Sequence, residues 1–102
     1  MLLVGDIGGT KIALAVIDPD AGPRSPVSRA QLPSAGYPSL EAAVRAFLAD
    51  VAAPVSRACF AVAGPVLAGR ARITNLPWEL DEATLASALN LHSVTLLNDL
   101  EA

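Results

Sequence analysis

The chain has 102 residues, of which 53% are hydrophobic and 17% charged, with a net charge of −3 at neutral pH. That length allows one domain with a modest core, and the composition argues against a disordered chain. The seven Lys and Arg residues are scattered, so neither nucleic acid nor a membrane is an expected partner.

Residues 2 to 7 and 11 to 18 are dominated by Val, Ile and Leu and bounded by turn residues. This predicts two strands joined as a hairpin. The opening MLLVGD lacks a basic segment and meets an acid at position 6, so it does not read as a signal peptide. DPDAGP, residues 18 to 23, is dense in turn formers. A third strand over SPVSRAQLP puts Val27, Arg29 and Gln31 on one face, and this polar content suggests an edge position.

Ser39 is a good N-cap for a helix in which Leu40, Val44, Phe47, Leu48 and Val51 recur at helical spacing, with Pro54 as its stop. SRACFAVAG, residues 56 to 64, reads as a strand that ends in Gly64-Pro65. The apolar run continuing through it is interrupted there and too short for a bilayer. Its single cysteine, Cys59, forms no internal disulfide, which fits a reducing, cytoplasmic setting, and reads as core filling. GRARIT, residues 69 to 74, reads as a short strand beyond a turn. Asp81 caps a second helix carrying Leu85 and Leu89, and Asn90 can end it in the left-handed conformation. SVTLLND, residues 93 to 99, is the last strand.

The order predicts an α/β fold with a mixed five-stranded sheet. The first three strands are antiparallel hairpins; the later ones run parallel to the first because crossover helices lead to them. The C-terminal ends of the first, fourth and last long strands then share an edge. That edge gathers Asp6, Gly64-Pro65 and Asn98-Asp99, where open α/β sheets bind ligands.

Asp6, Gly8, Gly9 and Thr10 admit two readings. In the first they are a bare turn, with the glycines supplying positive φ. In the second they bind phosphate: glycines let backbone N–H groups approach phosphate oxygens, Thr10 adds a hydroxyl, and Asp6 can hold magnesium directly or through water. Lys11 is the next cation, and strand alternation can point it away. Two familiar phosphate loops are excluded, because Thr10 stands where G-x-x-x-x-G-K-[ST] needs glycine and Ile7 where G-x-G-x-x-G needs one. For Asn98 and Asp99 a helix N-cap competes with a role in general-base catalysis.

GDIGGTKIALAVID resembles the first phosphate motif of the superfamily of sugar kinases, actin and the 70-kDa heat-shock chaperones. AVAGPV, TNLPW and LLNDLEA narrow the likeness to the N-terminal part of the bacterial glucokinases, over essentially the whole chain. The resemblance implies the ribonuclease H-like small lobe of an actin-like ATPase, with residues 1 to 102 one lobe of a truncated two-lobe enzyme. It implies transfer of the γ-phosphoryl group of ATP to the 6-hydroxyl of glucose, the entry step of glycolysis. Gly5, Asp6, Ile7, Gly8, Gly9 and Thr10 would hold ATP phosphates, with magnesium at Asp6. Asp99 would be the catalytic base and, with Asn98, would bind the sugar.

Asn75 can support the sugar loop or make a turn hydrogen bond, and Gly64-Pro65 would shape the cleft wall. Trp78 is expected to be buried and His92 to lie at the surface. The full-length enzyme would be a homodimer, while the isolated piece would be inactive and would self-associate through exposed apolar surface. A sugar-sensing regulator, another hexose kinase of the related repressor and kinase family, and an actin-like assembly ATPase are the competing readings.

Overall fold

The computed structural model describes residues 1–18, 20, 28–51, 55–73 and 78–98. Apolar alternation in the opening segment becomes a ladder in which β1 (Leu2–Ile7) and β2 (Lys11–Ile17) pair antiparallel, from Ile7 opposite Ile12 to Leu2 opposite Ile17. β3 (Ser28–Pro33) adds outside β2, at the edge its polar residues predict. β4 (Arg57–Val62) runs parallel to β1, and β8 (Ser93–Asn98) runs parallel to β4. The order β3-β2-β1-β4-β8 is the mixed five-stranded sheet expected from the sequence.

The crossovers are α1 (Leu40–Leu48) and α2 (Glu82–Leu89). Both carry the predicted caps: Ser39 Oγ accepts from the Ala42 N–H at 3.2 Å, and the Asp81 carboxylate accepts from the Thr84 N–H at 3.0 Å. The Thr84 N–H, followed by the Arg70 guanidinium, holds the Asp81 carboxyl below its ordinary pKa. Asn90 closes α2 in the left-handed conformation at φ 56° and ψ 45°. α1 stops earlier than its spacing predicts. The N–H groups of Asp50 and Val51 donate to the carbonyls of Phe47 and Leu48, so the chain tightens into three-residue turns and Val51 packs against the core without being helical. Pro54, its expected stop, lies outside the described residues.

The core occupies one face of the sheet. Leu3, Ile7, Ile12, Leu14, Phe60 and Val62 pack there in one cluster with Leu40, Val44 and Phe47 of α1 and Leu85 of α2. On the opposite face Val4, Ala13, Ala15 and Ala61 are only half-buried. Cys59 belongs to this open face, paired with Val4 in the ladder, so it is not core filling. A strand's composition does not say which parity the helices will cover. Partial burial still pushes the Cys59 thiol above its ordinary pKa.

Between β4 and α2 lies a small antiparallel sheet of β5 (Val66–Leu67), β6 (Arg70–Arg72) and β7 (Glu79–Asp81). Only its middle strand was expected. The β5–β6 turn puts Ala68 at φ 53° and Gly69 at φ 73°, the double positive of a type I′ hairpin. Arg70 pairs with Asp81 at 2.8 Å and Arg72 with Glu79 at 2.6 Å, each opposite its partner across β6 and β7. Trp78 is buried, as expected, and with Leu80 it ties this sheet to the main core.

Candidate functional site

Register decides which groups meet at the carboxyl edge of the sheet. Ile7 is level with Val62, and Val62 with Asn98, so β1, β4 and β8 end together. Two strand spacings, about 10 Å, separate the tip of the β1–β2 hairpin from the end of β8. The hairpin closes through the Gly8 N–H, which donates to the Lys11 carbonyl at 3.0 Å. The Gly64 N–H donates to the Val62 carbonyl at 3.0 Å, turning the chain sharply as it leaves β4. Gly64 is buried, and a Cβ there would stand 3.0 Å from the Arg72 carbonyl oxygen. The edge therefore passes close to the small sheet with no room for a side chain.

The predicted residues divide by their place in the ladder. Asp6 is exposed on the open face, in the row of Ala13 and Ala61. Ile7 is fully buried in the core, leaving only its backbone for a ligand. Gly5 lies within β1, where a Cβ would stand 2.7 Å from Phe60 Cδ1 and 2.9 Å from Leu14 Cδ2, so packing explains it. Gly8 and Gly9 are half-buried at the tip, and Thr10 and Lys11 are exposed. Asn98 is exposed at the end of β8, in the row of Val62, one parity away from that of Asp6. Asp99 and Asn75 lie outside the described residues. His92 is exposed, as expected.

Gly69 is the one glycine with positive φ among the described residues. Gly8 and Gly9 therefore do not supply the left-handed backbone that a bare-turn reading requires. At Gly8 a Cβ would stand 3.2 Å from the Lys11 carbonyl oxygen, so the tightness of the turn itself favours glycine there.

Sequence reasoning missed Ser34, the first residue of a 3-10 turn (Ser34–Gly36) after β3. It is the one fully buried polar residue among those described, and its Oγ–H donates to the Gly8 carbonyl at 2.8 Å. Its N–H donates to the Thr10 carbonyl at 2.9 Å. QLPSAGYPSL holds two Pro-Ser pairs, and only the second announced itself, as a helix cap.

From Asp6, an open groove of about 690 Å³ runs along the exposed sheet face, past Val4, Ala13, Ala15, Arg29 and Gln31. Among the described residues no group of three or more His, Cys, Asp or Glu is placed to hold a metal ion. No helix there is long and apolar enough to cross a membrane.

A mixed sheet with its helices on one face, a glycine hairpin at the strand tips and a polar strand end on the same edge make up an α/β fold of the actin-like ATPase type. Comparison with solved structures agrees. A glucokinase from an Antarctic psychrotroph superimposes with a TM-score of 0.80 at 35% identity, covering 96% of this chain and 32% of that one. A ROK family glucokinase from Streptomyces griseus, solved with glucose and AMPPNP, gives 0.66 at 27% identity, over 96% of this chain and 33% of that one. The family model described as glucokinase matches residues 3–102, and the chain belongs to that family. The glucokinase of Nostoc punctiforme is 38% identical over 104 residues, which take in all of this chain and 30% of the relative. The chain thus spans about a third of the length of the relatives it matches.

Proposed function

We propose that this chain is the N-terminal lobe of an ATP-dependent glucokinase, a cytoplasmic enzyme that transfers the γ-phosphoryl group of ATP to the 6-hydroxyl of glucose. The observation that carries the reading is the shared register of Ile7, Val62 and Asn98. It sets a glycine turn and a polar strand end on one edge, about two strand spacings apart. The glucose and AMPPNP bound by the Streptomyces relative support the same pair of substrates here.

Phosphoryl transfer depends on positioning and charge neutralisation more than on covalent chemistry by the protein. Gly8, Gly9 and Thr10 would hold phosphate oxygens through N–H and hydroxyl donors. Asp6 offers one carboxylate at the rim, which suits magnesium, an ion that keeps most of its ligands from water and phosphate. When bound, magnesium would neutralise phosphate charge. Asn98 would hold a sugar hydroxyl, and Asp99 would take the proton of the attacking hydroxyl as the new P–O bond forms. The remaining length of the relatives would supply the second lobe, whose closure excludes water as a competing acceptor. We propose a homodimer for the full-length protein and self-association of the isolated piece through the open sheet face, where Leu97 is 50% exposed.

The test is glucose-dependent ADP release by the full-length protein, with the 102-residue chain as the inactive comparison. Asp99→Asn is expected to abolish transfer and spare glucose binding. An Asp99→Asn enzyme that loses glucose affinity but keeps its turnover would overturn the assignment of the base.

A further inference from the structure

We propose that Ser34 is a positioning residue for ATP: by gripping two carbonyls of the Gly8–Thr10 turn it aims the turn's N–H groups at phosphate. The proposal rests on the kinase reading above and names the device that orders its phosphate turn.

The geometry starts in the sheet. Pro33 pairs with Lys11 at the end of the β2–β3 ladder, so the next residue, Ser34, arrives beside the hairpin tip. Both of its donors are used there, the hydroxyl on the Gly8 carbonyl at 2.8 Å and the N–H on the Thr10 carbonyl at 2.9 Å. The side chain is fully buried, and water does not compete for these bonds.

Each bond has a consequence on the far side of a peptide. No cis peptide occurs among the described residues, and in a trans peptide the C=O and the following N–H point in opposite directions. Drawing the Gly8 carbonyl inward to Ser34 therefore turns the Gly9 N–H outward. Within the described residues that N–H donates to no protein group. The second bond, from the Ser34 N–H to the Thr10 carbonyl, fixes the other end of the turn. Two adjacent glycines leave a backbone soft, and without the grip the donors would have to be ordered by each ligand as it binds. Fixing them beforehand lowers the ordering cost of phosphate binding.

A role confined to folding makes a different prediction. Losing folded protein lowers the apparent kcat and leaves the KM of what remains unchanged. Losing the aim of the turn raises KM for ATP and leaves KM for glucose alone. The experiment uses the full-length protein with Ser34→Ala and Ser34→Cys, the latter close in volume but a weak donor. Circular dichroism checks the fold. Ser34→Ala should raise KM for ATP roughly tenfold, about the worth of one hydrogen bond, with Ser34→Cys between it and the parent. Inhibition constants should weaken for ADP and stay level for adenosine, which has no phosphate to lose. Should Ser34→Ala fail to fold, Ser34→Cys decides the matter alone. Unchanged KM for ATP in a folded variant, or equal weakening of adenosine, overturns the proposal while the kinase reading stands. No glucose-dependent turnover by the unsubstituted protein removes the reading and the proposal together.

Discussion

Two hairpins in this chain turn on glycine, and the reasons differ. At the β5–β6 turn the backbone itself demands it: Gly69 sits at φ 73°, and a Cβ there would stand 2.7 Å from Glu82 Oε1. At the β1–β2 turn neither glycine has positive φ, and a Cβ on Gly8 would come only as near as 3.2 Å to the Lys11 carbonyl oxygen. One glycine is demanded by its own backbone conformation; on the function proposed above, the other pair leaves room for a phosphate to approach. The two kinds of demand separate by experiment, because a conformational glycine fails in stability and an approach glycine fails in binding.

Gly69→Ala should show the largest stability effect. Left-handed backbone costs an ordinary residue about 1–2 kcal/mol. The new methyl also displaces a carboxylate already engaged, since Glu82 Oε2 accepts from the Leu96 N–H at 2.7 Å. That bond ties α2 to β8, the strand that ends in Asn98. We expect a loss of about 2–3 kcal/mol, combining the backbone term with the broken bond. It is read as a lower thermal midpoint together with faster hydrogen exchange at Leu96. A midpoint unchanged within error would contradict the conformational account of Gly69.

Gly8→Ala comes next and reverses the pattern. With φ already permissive, the methyl has only to displace one carbonyl slightly, which costs about 1 kcal/mol, the low end for an overpacked contact. In the full-length protein the midpoint should move less than for Gly69→Ala, while the proposed phosphate site at this turn makes KM for ATP rise several-fold. A large loss of stability with normal KM would make the first turn merely structural, like the second.

What the residues disclosed beforehand follows the same division. The long elements were legible because their patterns run for several residues: LLVGDI and KIALAVI alternate, and Ser39, Asp81 and Asn90 cap helices as their chemistry dictates. Strand ends were legible through turn residues, which put Asp6, Gly64 and Asn98 on one edge. The small sheet was not, since strands of two and three residues are too short for alternation to register. The sheet face that would stay open was hidden as well, which is why Cys59 was expected inside. Ser34 was invisible for another reason: its partner Gly8 is 26 residues away, and a serine after a proline reads locally as a turn. The early stop of α1 turns on backbone bonds to Phe47 and Leu48 rather than on a side-chain signal.

The smallest predicted effect lies at the residue beside Gly69. Ala68 occupies φ 53° with a Cβ in place, at the position where type I′ turns favour Asn. Ala68→Asn should stabilise the protein by about 0.5 kcal/mol, because Asn tolerates the left-handed region better than Ala. Glycine would be a poorer probe here, since the freedom it adds to the unfolded chain offsets the strain it removes in the folded one. Ala68 is exposed, so the longer side chain meets solvent. The gain should appear as a small rise in thermal midpoint, with KM for ATP unaltered because the substitution leaves Gly69, Glu82 and Leu96 in place. No gain would mean that positive φ at this turn carries little strain. The expected loss for Gly69→Ala would then have to come from the displaced Glu82 carboxylate rather than from the backbone.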